Sequence, residues 1–169
     1  MLLRALDSFR CCKDSDIELF LRRKAIDFEK RGLCSVYLIV DGELFDKGTI
    51  FVHAYFTLSH KCIGFLPDIS RTTRNRITAS RNAKLSHFVL IGHLGKYINE
   101  EAGLKSQICS EEILNDAFEV IRQSSELIIC RYTIVECIQN EKVQDVYTNY
   151  GFSYLQSDRN LCQFYKKIS

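Results

Sequence analysis

Three groups of residues in this chain have types and spacing that could do chemistry. Between Gly95 and Ser110 the chain passes from a strand-like run, HFVLIGHL (87–94), to a helix-like run, SEEILNDAFEVIRQ (110–123). Ligands of α/β folds gather beyond the carboxyl end of a strand, and a helix N-terminus offers unpartnered N–H groups to a phosphate. Cys109 lies in this junction, where a thiol can become reactive or remain an inert cysteine. The second group is a basic run. Residues 69–86 carry Arg71, Arg74, Arg76, Arg81 and Lys84 with no acid, which leaves the rest of the chain at −3 within a net charge of +2. Such a run attracts nucleic-acid phosphates in a salt-sensitive way, or is a solvated loop. The third group is eight cysteines, at 11, 12, 34, 62, 109, 130, 137 and 162. None forms a C-x-x-C pair, and the adjacent Cys11 and Cys12 cannot easily supply two tetrahedral ligands. No metal is expected, and most of the thiols are expected to be reduced and in the core.

The elements that position these groups follow from periodicity. Ile17, Phe20, Leu21, Ala25 and Phe28 recur at helical spacing, so residues 15–31 read as an amphipathic helix started by Ser15 or Asp16 and ended by Gly32. CSVYLIVDG (34–42) and TIFVHAYFTLS (49–59) read as strands of a hairpin joined by the turn-rich DGELFDKG (41–48). Residues 62–86 lose periodicity, contain the only proline, Pro67, and read as a long basic connection with room for a short helix. HFVLIGHL suits a buried central strand. The helix at 110–123 has Ser110 as N-cap and an apolar stripe of Ile113, Leu114, Ala117, Phe118 and Ile121. A strand in CRYTIVECI (130–138), a short helix ended by Gly151, and strands around FSYLQ (152–156) and LCQFYKKI (161–168) complete the order. The expected class is α/β, with a mixed sheet, partly antiparallel at its start and end, and a strand–helix–strand crossover in the middle.

Composition sets outer bounds. With 169 residues, 46% hydrophobic content and no repeat or low-complexity tract, one domain over 1–169 is expected. The opening MLLRALDSFR lacks the apolar core of a secretory signal, and no stretch approaches the roughly 20 apolar residues of a membrane span. A soluble cytoplasmic protein with no membrane partner is therefore expected.

The segment NEKVQDVYTNYGF, Asn140 to Phe152, resembles the N-x-x-A-x-x-x-Y-x-x-x-G-F segment of the GNAT acetyltransferases. LIGHLGKY (90–97) resembles the strand of that family whose splayed end holds the pantetheine arm, and SEEILNDAF (110–118) the start of the helix that receives the pyrophosphate. SDIELFLRRKAIDFEKRG (15–32) before a strand, and FTLS (56–59) ending a later one, are similar to the subset that includes acetyltransferase toxins of toxin–antitoxin pairs. The resemblance implies a GNAT-like, mostly antiparallel central sheet with a central strand–loop–helix crossover that binds acetyl-CoA.

Site roles follow from that resemblance. The phosphate loop, Q/R-x-x-G-x-G/A in the family, falls on Lys105-Ser106-Gln107-Ile108-Cys109-Ser110, where both glycines are replaced and the backbone loses a cradle without Cβ atoms. Glu111 and Glu112 add negative charge at the same helix start. Cofactor contacts are further implied at Leu94, Gly95, Lys96 and Asn140. Tyr147 takes the place of the general acid that protonates the departing CoA thiolate. The acceptor amine must lose a proton, for which His93 and Glu136 are candidates, each with a hydrogen-bonded structural role as its alternative.

The expected function is direct, acetyl-CoA-dependent acetylation of an amine on a small molecule, protein or aminoacyl-tRNA. The alternative is a GNAT-fold scaffold that has lost CoA and binds protein or RNA. The basic run offers RNA contacts at Arg71, Arg74, Arg76 and Arg81, and the resemblance implies a homodimer.

Overall fold

The computed structural model describes residues 1–125 and 130–168. Its sheet has six strands in the order β1-β2-β3-β6-β8-β7: β1 Ser35–Val40, β2 Val52–Gly64, β3 Leu85–Lys96, β6 Tyr132–Ile138, β7 Ser153–Asp158 and β8 Leu161–Lys167. A separate two-stranded ribbon joins β4 Ile98–Asn99 to β5 Leu104–Lys105. The helices are α1 Leu2–Ser8, α2 Ser15–Leu19, α3 Ala25–Lys30, α4 Gly42–Asp46, α5 Arg71–Thr78, α6 Ser110–Ser125 and α7 Glu141–Asn149, with a π-helical turn at Phe20–Lys24 between α2 and α3. The chain forms two compact units, Met1–Leu58 with Gly92–Asp116, and Ser59–Ile91 with Ala117–Ser169.

In the first unit β1 pairs antiparallel with β2, from Ser35↔Leu58 to Val40↔Val52. The expected hairpin is present, but its connection is the short helix α4, because the Asp41 carboxylate accepts the Leu44 N–H and caps it. The helix expected over 15–31 is also present, capped by Asp14 in place of Ser15 or Asp16: its Oδ1 accepts the N–H groups of Asp16 and Ile17. Gly32 ends the segment in the left-handed region, φ +66°. Ala5, Leu6 and Phe9 of the α1 segment pack with Phe20, Leu21, Ala25, Tyr55 and Tyr97 into the core of this unit.

In the second unit β6 pairs antiparallel with β8, and β8 with β7. A parallel pair joins Val89–Ile91 of β3 to Thr133–Val135 of β6. Phe88, Ile134, Ile63, Ile77, Tyr132 and Tyr165 form its core. The long connection expected over 62–86 is mostly ordered. Strand β2 runs on to Gly64, Ser70 caps α5 through the Thr73 N–H, and Ala79 ends α5 at φ 59°. All eight cysteines are free, but only Cys11, Cys137 and Cys162 are buried, so the expectation that most are core thiols is corrected. Among the described residues no group of three His, Cys, Asp or Glu could hold a metal, and no helix is long and apolar enough to cross a membrane.

Candidate functional site

Strand β3 extends to Lys96, so Leu94, Gly95 and Lys96 are strand residues whose backbone is directed by the sheet. Gly95 is buried because its neighbours leave no room for a side chain: a Cβ there would stand 2.4 Å from Tyr55 Cε1 and 2.6 Å from Ile17 Cγ2. Two residues earlier on β3, the His93 ring stacks on Phe20 with centroids 3.7 Å apart and planes 16° apart. Its backbone N–H donates to Thr57 Oγ1 at 2.8 Å, and Nδ1 lies 3.4 Å from the same oxygen. Burial against Phe20 disfavours the charged ring and holds the His93 pKa below the ordinary histidine value, outweighing the attraction of Asp14 and Asp16; Lys24 pushes the same way as burial. The imidazole is therefore neutral and able to accept a proton at neutral pH. It lines a cavity of about 440 Å3 together with Asp16, Leu19, Phe20, Arg23 and Lys24.

The sequence-predicted phosphate loop runs from Lys105 in β5 to Ser110, the first residue of α6. Several of its N–H groups are engaged within the chain. Ser106, buried, donates its N–H to the Tyr97 carbonyl, and its hydroxyl accepts the Ile108 N–H. Cys109 is the true N-cap: its carbonyl accepts the Ile113 N–H, and its own N–H donates to Glu112 Oε2 at 2.6 Å. That bond lowers the Glu112 pKa and is half of a capping box, in which a glutamate three residues into the helix closes on the cap. The first-turn N–H groups of Ser110 and Glu111 have no partner within the helix by its geometry and point out of its N-terminus.

Tyr147 lies on α7, a helix capped by Asn140, whose Oδ1 accepts the Lys142 N–H. Its ring packs on Phe152 and Phe164. Burial, with a smaller contribution from Cys137, pushes the phenol up to about 12, so it is a protonated donor at neutral pH. The end of α7 is fastened by Lys166, whose Nζ donates to the Tyr150 carbonyl and sits 4.0 Å from the Tyr150 ring centroid and 5.0 Å from that of Phe118.

Glu136, on β6, has both carboxylate oxygens occupied. Oε2 is paired with Lys61 Nζ, and Oε1 accepts Gln163 Nε2 at 2.7 Å. Gln163 in turn accepts Gln156 Nε2, which also donates to the Gly64 carbonyl. Of the basic run, Arg71, Arg76 and Arg81 are exposed. Arg74 is turned inward, donating to the carbonyls of Ile69, Ala83 and Leu66 and lying over the Phe65 ring.

Sequence reasoning placed Phe20 on an apolar helix face without its His93 partner and missed the roles of Tyr55, Thr57 and the Lys61–Gln163 network, because periodicity alone does not say which partners a face meets. The Glu112 contact did have a signal, a glutamate three positions after the cap.

No protein-family model matches the chain, and no curated protein matches it in sequence. Solved structures match it in fold. A Tyr→Phe mutant of KacT superposes with a TM-score of 0.73 at 21% identity, over 96% of this chain and 87% of that one. AtaT complexed with acetyl-methionyl-tRNAfMet gives 0.72 at 21% identity, over 96% and 86%. A Tyr→Phe mutant of the AtaT toxin, bound to the C-terminus of the antitoxin AtaR and acetyl-CoA, gives 0.69 at 19% identity, over 96% and 85%. At these identities the shared property is the GNAT-like fold.

Proposed function

We propose that the protein is an acetyl-CoA-dependent N-acetyltransferase that transfers an acetyl group directly to an amine. The observation that supports the reading is the fold, shared over 96% of the chain with a solved AtaT toxin bound to acetyl-CoA; within it we assign the base to His93, held neutral, and the acid to Tyr147, held protonated. Acetyl-CoA supplies the activated thioester. The end of β3 at Leu94, Gly95 and Lys96 would hold the thioester, where backbone N–H groups would polarise its carbonyl. His93 accepts the amine proton, and Tyr147 donates its phenolic proton to the departing thiolate. Asn140 orders the start of α7 and so the placement of Tyr147. Glu136 is the weaker base because both its oxygens are occupied.

The phosphates fall to Lys105, Ser106, Gln107, Ile108, Cys109 and Ser110. The fit there is partial: the first turn of α6 offers N–H groups, while the Cys109 N–H is held by Glu112. That contact favours the second reading, a GNAT-fold scaffold with weakened CoA binding that serves as a protein- or RNA-binding module. For the acceptor we favour aminoacyl-tRNA, since AtaT of the same fold was solved with acetyl-methionyl-tRNAfMet. The outward Arg71, Arg76 and Arg81 supply the RNA contact, and a second copy of the chain is a further proposed partner.

Calorimetric titration with acetyl-CoA separates the two readings without a known acceptor. Micromolar binding supports the enzyme. Absence of binding at millimolar ligand supports the scaffold.

A further inference from the structure

Helices rarely contain π turns, and those that persist have an outside group that compensates the mismatched ladder. Here that group is Tyr55. Its hydroxyl donates to the Ile17 carbonyl at 2.7 Å, on the turn that enters the π segment, where the same carbonyl also meets the Phe20 N–H. The Tyr55 ring is fully buried and lies against Gly95, which must lack a Cβ to admit it. The π turn it supports begins at Phe20, and Phe20 is the ring stacked on His93. Tyr55 also packs parallel to Phe20, with planes 8° apart and centroids 6.4 Å apart.

We infer that Tyr55 is a positioning residue: through the Ile17 carbonyl and the π turn it sets Phe20 over the His93 ring and so determines the protonation of His93. The charged and titratable groups facing His93 are Asp14 and Asp16 at the start of α2, Arg23 and Lys24 on the π turn, and Tyr55 on β2, with the Thr57 hydroxyl bonded to the histidine itself. None of these is changed in charge by removing the Tyr55 hydroxyl at neutral pH, because burial raises the Tyr55 pKa well above its ordinary value. A change in His93 on that substitution therefore reports the position of Phe20. The catalytic meaning of the inference rests on the acetyltransferase reading; its structural content does not.

The test is Tyr55→Phe in the full chain, with the His93 imidazole followed by nitrogen-resolved NMR titration and identified by its loss in His93→Gln. Phe20→Leu, which removes the stacked ring, gives the reference shift. Tyr55→Phe is expected to move the His93 pKa upward, in the direction of Phe20→Leu, and to lower kcat/KM for transfer by roughly tenfold while leaving the acetyl-CoA Kd unchanged. If Tyr55→Phe does not fold, Gly95→Ala, whose Cβ meets both the Tyr55 ring and Ile17 Cγ2 and so disturbs the same contact while leaving the hydroxyl, should produce the same upward movement. A His93 titration unchanged in the folded variant, alongside a clear shift in Phe20→Leu, overturns the inference and leaves Tyr55 as a packing residue. Failure of the wild-type protein to bind acetyl-CoA sinks the enzymatic reading and leaves the NMR result standing by itself.

Discussion

The Glu112 carboxylate accepts the backbone N–H of Cys109 at 2.6 Å, so the start of α6 carries an anion of its own where an N-terminal phosphate would bind. The contact stabilises the helix start and opposes a second anion there. Glu112→Gln keeps an acceptor for the Cys109 N–H and removes the charge. It is expected to tighten acetyl-CoA binding by about two- to fivefold, the scale of a charge at a helix terminus, as read by calorimetry. Weaker binding in the variant would mean that the charged cap is needed to shape the loop. Because its bond lowers the Glu112 pKa, the cap is intact above the ordinary glutamate range and is lost as pH falls through the depressed value.

Tyr147→Phe removes the proposed acid and keeps the ring that packs on Phe152 and Phe164. Turnover should fall by about 100-fold or more while the acetyl-CoA Kd stays within a factor of two or so. With the phenol pushed up to about 12, the wild-type rate should show no descending limb from Tyr147 at or below its ordinary value of 10.0. The raised pKa also has a stability consequence. The unfolded chain releases this proton first, so its contribution is complete below 10.0 and is lost as pH rises through about 12. An unchanged rate in Tyr147→Phe would remove the residue from the mechanism.

Lys61 and Glu136 test whether the second carboxylate is structural. The Glu136 side chain is only 14% exposed, and Lys61→Met leaves it without its cation. Discounted for the 35% exposure of Lys61, the loss should be about 2 kcal/mol in denaturant unfolding, partly recovered in the Lys61→Met/Glu136→Leu double variant. Glu136→Gln should retain kcat. A hundredfold fall with an unchanged Tm would instead make Glu136 the base in place of His93.

The basic segment divides into one internal and three external arginines. Arg74→Met forfeits donors to three carbonyls and should destabilise the protein by about 2–3 kcal/mol. Charge reversal at Arg71, Arg76 and Arg81 should leave Tm within a degree or two and weaken tRNA binding, most visibly at low salt. Equal binding by the reversed protein at low salt would exclude these three side chains as an RNA surface.

Much of the fold could be read from the sequence. The apolar stripe of α6, the Val-, Ile- and Phe-rich runs of β2, β3 and β6, and the Gly151 stop after α7 each depend on local periodicity or local backbone freedom, which neighbouring residues specify by themselves. The segment around Tyr147 was recognisable for the same reason, since cap, apolar spacing and glycine lie within thirteen residues. Local sequence also determined the charge of the 69–86 segment, but not its direction. Whether Arg74 points inward depends on the carbonyls of Leu66, Ile69 and Ala83 meeting in space. Only tertiary structure could decide that Glu136 is occupied by Lys61, 75 residues away, or that Tyr55 reaches a carbonyl 38 residues earlier. Protonation states follow the same division: a side chain's type sets its ordinary pKa, while desolvation by residues distant in the chain moves His93 down and Tyr147 up, and that burial exists only once the strands and helices have packed.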